Sequence, residues 1–201
     1  MKVLLINESA REKGCTFTAL SEVARGLNES GVETEILSLG TKPVADCMGC
    51  GKCRETGACV FGDIVNEIVE KAKTADGFVF GSPVYYAHAS GRLLSVLDRA
   101  FYSGGKEFAF KPGAAVVSAR RGGTTASLEV INKHFSINQM PIVTSNYWNM
   151  VHGNTPDEVR QDKEGMRTMY NLGRNMAWMI KCIQAGPEHP QNEKESTNFI
   201  R

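Results

Sequence analysis

A hydrophobic run, Lys2-Val3-Leu4-Leu5-Ile6-Asn7, passes into Ser9-Ala10-Arg11-Glu12-Lys13-Gly14-Cys15-Thr16 and then into a helical stripe. These residues are suited to hold a phosphate. Ser9 and Thr16 offer hydroxyls, Arg11 offers a permanent charge with planar donors, and Gly14 relaxes the backbone. A helix opening near Thr16 aims unpaired N–H groups and the positive end of its dipole at the same spot. A polar loop that only caps a helix fits the same residues. A second chemistry is written in Cys47, Cys50, Cys53 and Cys59, a CxxCxxCx5C run with Asp63 close behind at an expected helix start. Thiolates this compact can wrap the corners of an iron-sulfur cubane. Zinc suits the spacing less well, because structural zinc sites draw pairs of ligands from separate turns. Cys15 and Cys182 read as buried apolar groups, the common state of a free cysteine.

The elements that must position these residues alternate in type. Strands are expected at Lys2–Asn7, Val32–Leu37, Gly77–Phe80, Ala114–Val117 and Pro141–Thr144. Between them, apolar residues recur every three or four positions: Phe17, Leu20, Val23, Ala24 and Leu27; Ile64, Ile68, Val69 and Ala72; Leu93, Leu94 and Leu97; Val130, Ile131 and Phe135. These are core-facing helix stripes. A long fifth helix is expected from about Asp157 to Ile183, with Gly165 and Gly173 as weak points and its methionines serving packing or an oligomer surface. Five strands in this alternation predict an α/β fold, a doubly wound parallel sheet with helices on both faces. Strand order 2-1-3-4-5 puts a ligand crevice between the carboxyl ends of the first and third strands, where the winding reverses.

Two further loops then fall on the same rim. The third strand ends in Gly81-Ser82-Pro83-Val84-Tyr85-Tyr86, a rigid turn with two aromatics placed for a planar ring; a tyrosine pair that fills a core is the other reading. The fourth ends in Ser118-Ala119-Arg120-Arg121-Gly122-Gly123-Thr124, where the glycines let backbone N–H groups approach a ligand and the arginines also read as solvated charges.

Composition narrows the classes. In 201 residues, 23 basic against 22 acidic side chains leave almost no net charge, which argues against a dedicated nucleic-acid or membrane-surface binder. Val3–Ile6 is too short for a signal-peptide core and no apolar stretch reaches membrane-spanning length, so a cytoplasmic protein is expected. A reducing compartment also favours metal or redox use of the six cysteines over disulfides. There is no GxxxxGK[ST] run and no GxSxG elbow, and Gly49-Cys50-Gly51-Lys52-Cys53-Arg54 breaks the GxGxxG pattern at its last position. The four histidines, His88, His134, His152 and His189, form no HxxxH or HExxH pair. A phospho-acceptor receiver needs acids at the ends of the first and third strands; Glu8 is present, but Ser82-Pro83 holds the other place.

Taken together, Ser9-Ala10-Arg11 through Gly14-Cys15-Thr16, Gly81–Tyr86 and Leu97-Asp98-Arg99 resemble the NAD(P)H-dependent FMN reductases of the flavodoxin-like superfamily. The family typically has Ser-Pro-Arg and Gly-Asn-Thr in the first loop, so Ala10 and Cys15 depart from it. The cysteine spacing is similar to that of the iron-sulfur flavoproteins, a branch of the same superfamily with a [4Fe-4S] cluster beside FMN. The end Thr197-Asn198-Phe199-Ile200-Arg201 also looks like a recurring family terminus, although by composition the tail after Gly186-Pro187 reads as disordered.

The resemblance implies FMN phosphate at Ser9, Arg11, Cys15, Thr16, Phe17 and Thr18. It implies the isoalloxazine ring along Pro83, Val84, Tyr85 and Tyr86, and its pyrimidine edge at Ser118, Arg120, Arg121, Gly122 and Gly123. It implies [4Fe-4S] ligation by Cys47, Cys50, Cys53 and Cys59. Residues 1–186 form the expected flavodoxin-like FMN-binding domain with a cysteine-rich insertion at 47–59, and residues 187–201 a C-terminal tail. The implied activity is hydride transfer from NAD(P)H through FMN to a small-molecule acceptor such as a flavin or quinone. It requires no catalytic side chain, because hydride passes to the flavin directly. Tyr85, Tyr86, Tyr147 and Trp148 are candidates to shape the space above the ring. A homodimer or higher homo-oligomer is expected. Two alternatives stay open: an electron-transfer protein fed by ferredoxin, and a zinc-stabilised, non-redox interaction domain.

Overall fold

The computed structural model describes residues 1–193, 195–197 and 199. Its elements run β1 (Lys2–Asn7), α1 (Cys15–Glu29), β2 (Glu33–Ser38), α2 (Cys53–Thr56), α3 (Ile64–Ala72), β3 (Gly77–Tyr85), β4 (His88–Ala89), α4 (Gly91–Gly104), β5 (Gly113–Ala119), α5 (Thr124–Ile137), β6 (Met150–His152), α6 (Pro156–Gln161) and α7 (Lys163–Ala185). The parallel strands lie in the order β2-β1-β3-β5-β6, and β4 folds back antiparallel on the end of β3. With that short hairpin strand set aside, the order is the doubly wound 2-1-3-4-5 expected from the sequence.

Strand alternation builds two cores at once. Leu4, Ile6, Phe78, Phe80, Ala115 and Val117 point to the face covered by α3, α4 and α5, while Val3, Leu5, Val79, Ala114 and Val116 point to the face covered by α1 and α7. A parallel sheet buried on both sides requires such unbroken apolar strands. On the first face Phe78, Phe101 and Phe108 pack ring to ring, with centroids 4.7 Å (78 to 108) and 4.9 Å (101 to 108) apart.

Three expectations need correction. The sequence pattern puts the fifth strand at Pro141–Thr144, but among the described residues this segment makes a single bridge, Gly113 to Ile142. Regular pairing resumes at Met150–His152 beside Val117–Ala119. Proline at 141 has no N–H for the ladder, and the polar stretch Thr144–Asn149 bulges outward before the strand returns. The fifth helix is two helices. Asp162 interrupts it, accepting the Gly165 N–H at 2.9 Å as the cap of α7 and the His152 N–H at 2.7 Å through its other oxygen. Gly173 is no weak point, whereas Gly165 lies in the first turn of α7, just past the interruption at Asp162. A Cβ on Gly173 would lie 2.2 Å from the Val23 carbonyl oxygen, and one on Gly26 would lie 2.3 Å from that of Tyr170. Both allow α1 and α7 to touch backbone to backbone. Met169 and Met176 fill this same contact, so they are core and not an oligomer surface.

In the tail, His189 stacks on Phe110 with ring centroids 3.8 Å apart, and Asn192 donates to Gln139 Oε1 at 3.1 Å. The terminus resembling the family end includes Asn198, Ile200 and Arg201, which lie outside the described residues. Among those described, no helix is long and apolar enough to cross a membrane. Replacing Gly173 with Ala is expected to destabilise the protein by about 1–3 kcal/mol, since the helices must separate to admit the methyl group. Equilibrium urea unfolding measures it, and an unchanged midpoint would contradict the close crossing.

Candidate functional site

The loops after β1, β3 and β5 meet at the carboxyl edge of the sheet. Thr16 at the head of α1 and Ser118 at the end of β5 share a buried hydroxyl–hydroxyl hydrogen bond of 2.8 Å, which ties the first loop to the third. Gly123, with φ +94°, lies so close to the β3–β4 turn that a Cβ there would be 2.3 Å from the Ala87 Cα, which ties the third loop to the second. That turn is strained: Tyr86 and Ala87 both take left-handed backbone, at φ +49° and +61°. The two tyrosines point outward and Tyr86 is fully exposed. They do not fill a core.

The first loop curls on itself. Asn7 Nδ2 donates to the Glu12 carbonyl at 3.0 Å, Ser9 Oγ accepts the Arg11 N–H at 3.2 Å, and the Gly14 N–H reaches the Arg11 carbonyl at 3.0 Å. Ser9, Thr16 and Thr18 are buried, Cys15 and Phe17 half-buried and Arg11 exposed. Among the described residues Arg11 has no carboxylate partner. Cys15 Sγ approaches the Gly153 carbonyl at 3.8 Å, and burial pushes its thiol up, so it remains protonated.

Helix starts differ along the chain. Asp63, Thr155 and Asp162 cap α3, α6 and α7 with side-chain oxygens, and each of those helices carries an acid in its first turn. The helices that open on the first and third loops do the reverse: α1 starts at Gly14 and α5 at Gly123, with no side-chain cap and no acid in the first turn. α4, which opens on Ser90 with no side-chain cap hydrogen bond and no acid in its first turn, is of the same kind. The leading N–H groups and positive dipole ends of α1 and α5 are left for an anion. On the third loop Ser118 is buried, Gly123 half-buried and Arg120, Arg121 and Gly122 exposed.

A buried carboxylate lies beneath the rim, unassigned by sequence reasoning. Glu8 accepts from Ser90 Oγ at 2.8 Å and Arg92 Nε at 3.0 Å, while Arg92 Nη2 donates to the Glu8 carbonyl at 2.6 Å. Its Oε2 is buried without a hydrogen-bond partner among the described residues. Burial pushes the Glu8 carboxyl above the usual carboxylate range against the pull of Ser90 and Arg92.

The cysteine run forms the second candidate centre. Cys47, Cys50, Cys53 and Cys59 all line one cavity of about 350 Å³, floored by α4 through Arg99 and Tyr102. Asn66 holds the Cys59 backbone from both sides, accepting its N–H and donating to its carbonyl, each at 2.9 Å. Arg99 Nε donates to Cys59 Sγ at 3.2 Å. Cys53 Sγ approaches the Tyr102 carbonyl at 3.6 Å. Among the described residues, no three His, Cys, Asp or Glu side chains converge on a point fit for one metal ion. Cys182 is exposed on α7, contrary to the expectation of burial. A polar carbonyl lies beside Cys15, which is only half-buried. Tyr147 and Trp148, edge to face at 5.0 Å, line a groove with Leu128, Asn132 and Ile142, which contains none of the rim-loop residues.

A family model described as NADPH-dependent FMN reductase matches residues 1–155. The chain belongs to that family. An iron-sulfur flavoprotein of Methanocaldococcus jannaschii is 35% identical over 192 residues, covering 92% of this chain and 100% of that protein. Another from Methanosarcina thermophila is 32% identical over 191 residues, covering 92% of this chain and 97% of the relative. Among solved structures, a flavodoxin from the domain Archaea superposes with TM-score 0.61 at 14% identity, covering 90% of this chain and 99% of the flavodoxin. The family therefore appears here on a flavodoxin-like fold.

Two site features escaped sequence reasoning. Arg92 and Arg99 lie within a turn of the apolar stripe of α4, and cations so placed were the available signal for buried partners. Glu8, directly after β1, reads in the sequence as no more than one of the acids a phospho-acceptor site would need.

The pH dependence of Glu8 is checkable. A folded carboxyl raised above the ordinary value of about 4.3 holds its proton where the unfolded chain has released it. Stability therefore falls as pH rises from that value through the raised one, then levels. Glu8→Gln should abolish this decline in urea unfolding across the acid range, and identical profiles would contradict the assignment.

Proposed function

We propose that this protein is an FMN-dependent oxidoreductase that takes reducing equivalents from NADH or NADPH and passes them to a small-molecule acceptor such as a flavin or quinone. The electrostatics of the rim carry the reading: two helices open there on glycines, with no acid in either first turn, beside a guanidinium that has no carboxylate partner among the described residues. In this reading Ser9, Arg11 and the first turn of α1, from Cys15 through Thr16, Phe17 and Thr18, hold the phosphate. Pro83, Val84, Tyr85 and Tyr86 flank the ring. Ser118, Arg120, Arg121, Gly122 and Gly123 meet its pyrimidine edge, where backbone N–H groups favour an electron-rich ring. Bound FMN supplies a centre that accepts hydride from nicotinamide and releases electrons singly or in pairs. The chain's own part is to bind, orient and exclude water, and no side chain is assigned as acid or base.

The four cysteines fit a [4Fe-4S] cluster. A cubane takes each thiolate at a different corner, so its ligands must ring a cavity instead of meeting at a point, and Cys47, Cys50, Cys53 and Cys59 surround one. A zinc ion needs donors about 2.3 Å from one centre, a convergence absent among the described residues. The zinc-stabilised interaction domain thus has no observation in its favour. The cysteine cavity does favour a second redox reading, in which a ferredoxin delivers single electrons to the cluster and nicotinamide plays no part. Names of the relatives at 35% and 32% identity support a cluster in either case.

We assign residues 1–186 to the FMN-binding body and 187–201 to a tail. The exposed Tyr147–Trp148 pair supports a homodimer, and six free cysteines support a reducing cytoplasm. Anaerobic mixing of the FMN-loaded protein with NADPH or NADH separates the two redox readings. Bleaching of the flavin absorbance is expected. Inertness toward both nicotinamides, with bleaching by reduced ferredoxin, would overturn the reductase reading in favour of the carrier.

A further inference from the structure

Arg99 is a cation sunk in an apolar helix face. It lies on α4 between Val96 and Ala100, both fully buried, and its own side chain is 1% exposed. Nη1 and Nη2 grip the Asp63 carboxylate at 2.9 and 2.7 Å, Nη1 also reaches the Ala45 carbonyl at 3.1 Å, and Nε donates to Cys59 Sγ at 3.2 Å. The Phe61 ring covers the guanidinium, 4.5 Å from its carbon. Burial alone would push the Asp63 carboxyl up, but the Arg99 hydrogen bonds, the Val65 N–H and the Arg99 charge hold it below the usual carboxylate range. A buried arginine needs a countercharge, which accounts for Asp63. It does not account for an N–H spent on sulfur at the wall of the cavity that all four clustered cysteines line.

We propose that Arg99 is a positioning residue that raises the electron affinity of the cysteine site, donating its Nε–H to Cys59 Sγ and holding a positive charge, partly balanced by Asp63, at the cavity wall. The inference rests on the reading that the four cysteines hold a [4Fe-4S] cluster. One-electron reduction adds one negative charge to such a site and breaks no bond. A hydrogen bond to a ligand sulfur and a nearby cation both stabilise the added charge, and they act strongly where the wall excludes water. Cys59 cannot retreat from the donor, because Asn66 fixes its backbone at both N–H and carbonyl.

Two substitutions act with opposite sign. Arg99→Lys keeps the unit charge but loses the planar fork and the Nε donor. Asp63→Asn keeps the shape and can still cap α3, while removing the countercharge and so unmasking Arg99. The test is a dithionite titration of the anaerobically reconstituted holoprotein with redox mediators, followed by electron paramagnetic resonance, with iron and sulfide content measured alongside. The cluster midpoint is expected to move negative in Arg99→Lys and positive in Asp63→Asn. A clamp that only holds loops together would change cluster retention or thermal stability and leave the midpoint of the retained cluster in place, which would overturn the inference. Wild-type protein without iron and sulfide would overturn the cluster reading along with it. A wild-type cluster whose midpoint neither substitution moves overturns this inference alone. If Arg99→Lys does not fold, Asp63→Asn decides: a positive shift supports the proposal, and no shift or a negative one overturns it.

Discussion

Parallel pairing of β1 on both of its edges, with β2 on one side and β3 on the other, is the constraint on which the rest depends. Each parallel connection must cross over a face of the sheet with right-handed sense. Reversing direction at β1 therefore sends α1 to one face and α3 and α4 to the other, and it leaves a gap above the carboxyl ends of β1 and β3. Everything that converges there does so because the sheet forces it. The Thr16–Ser118 hydrogen bond and the contact of Gly123 with Ala87 then fix the three loops at distances that side-chain chemistry can use.

One helix serves both candidate centres. The first turn of α4 reaches the rim through Arg92, which pairs with buried Glu8 and donates to the Lys42 carbonyl at 3.5 Å. Two turns on, Arg99 joins Ala45, Cys59 and Asp63. The segment leading into the cysteine run is thus held at two points by guanidinium groups from a single rigid element. That arrangement couples the placement of the cysteines to that of the rim loops without a direct contact between them. It also explains why two arginines are tolerated beside a fully apolar helix stripe: each has a carboxylate and at least one carbonyl in reach.

Periodicity made most of the fold legible. Unbroken apolar runs in Lys2–Asn7 and Gly77–Phe80 reflect burial on both faces of a strand, threefold to fourfold spacing in the helices reflects burial on one, and both survive folding unchanged. The errors lie where a local device overrides the pattern. Pro141 and the polar stretch to Asn149 split the last strand, Asp162 turns a continuous apolar stripe into two capped helices, and Gly173 reads as a weak point until its partner helix is known. The rim loops were readable because strand order alone sends their ends to one edge. The Glu8–Arg92 and Asp63–Arg99 pairs were not, since they join residues 84 and 36 positions apart that no local spacing relates.

The central claim is that the rim holds the phosphate of FMN, with Arg11 as its charged donor. Fluorescence titration of FMN into the flavin-stripped protein, wild type against Arg11→Ala, addresses it most directly. A charge-assisted hydrogen bond is worth about 1.5–3 kcal/mol, so the substitution should weaken FMN binding roughly 10- to 100-fold while riboflavin, which lacks the phosphate, binds both proteins alike. Equal FMN affinity in the two proteins would contradict the account.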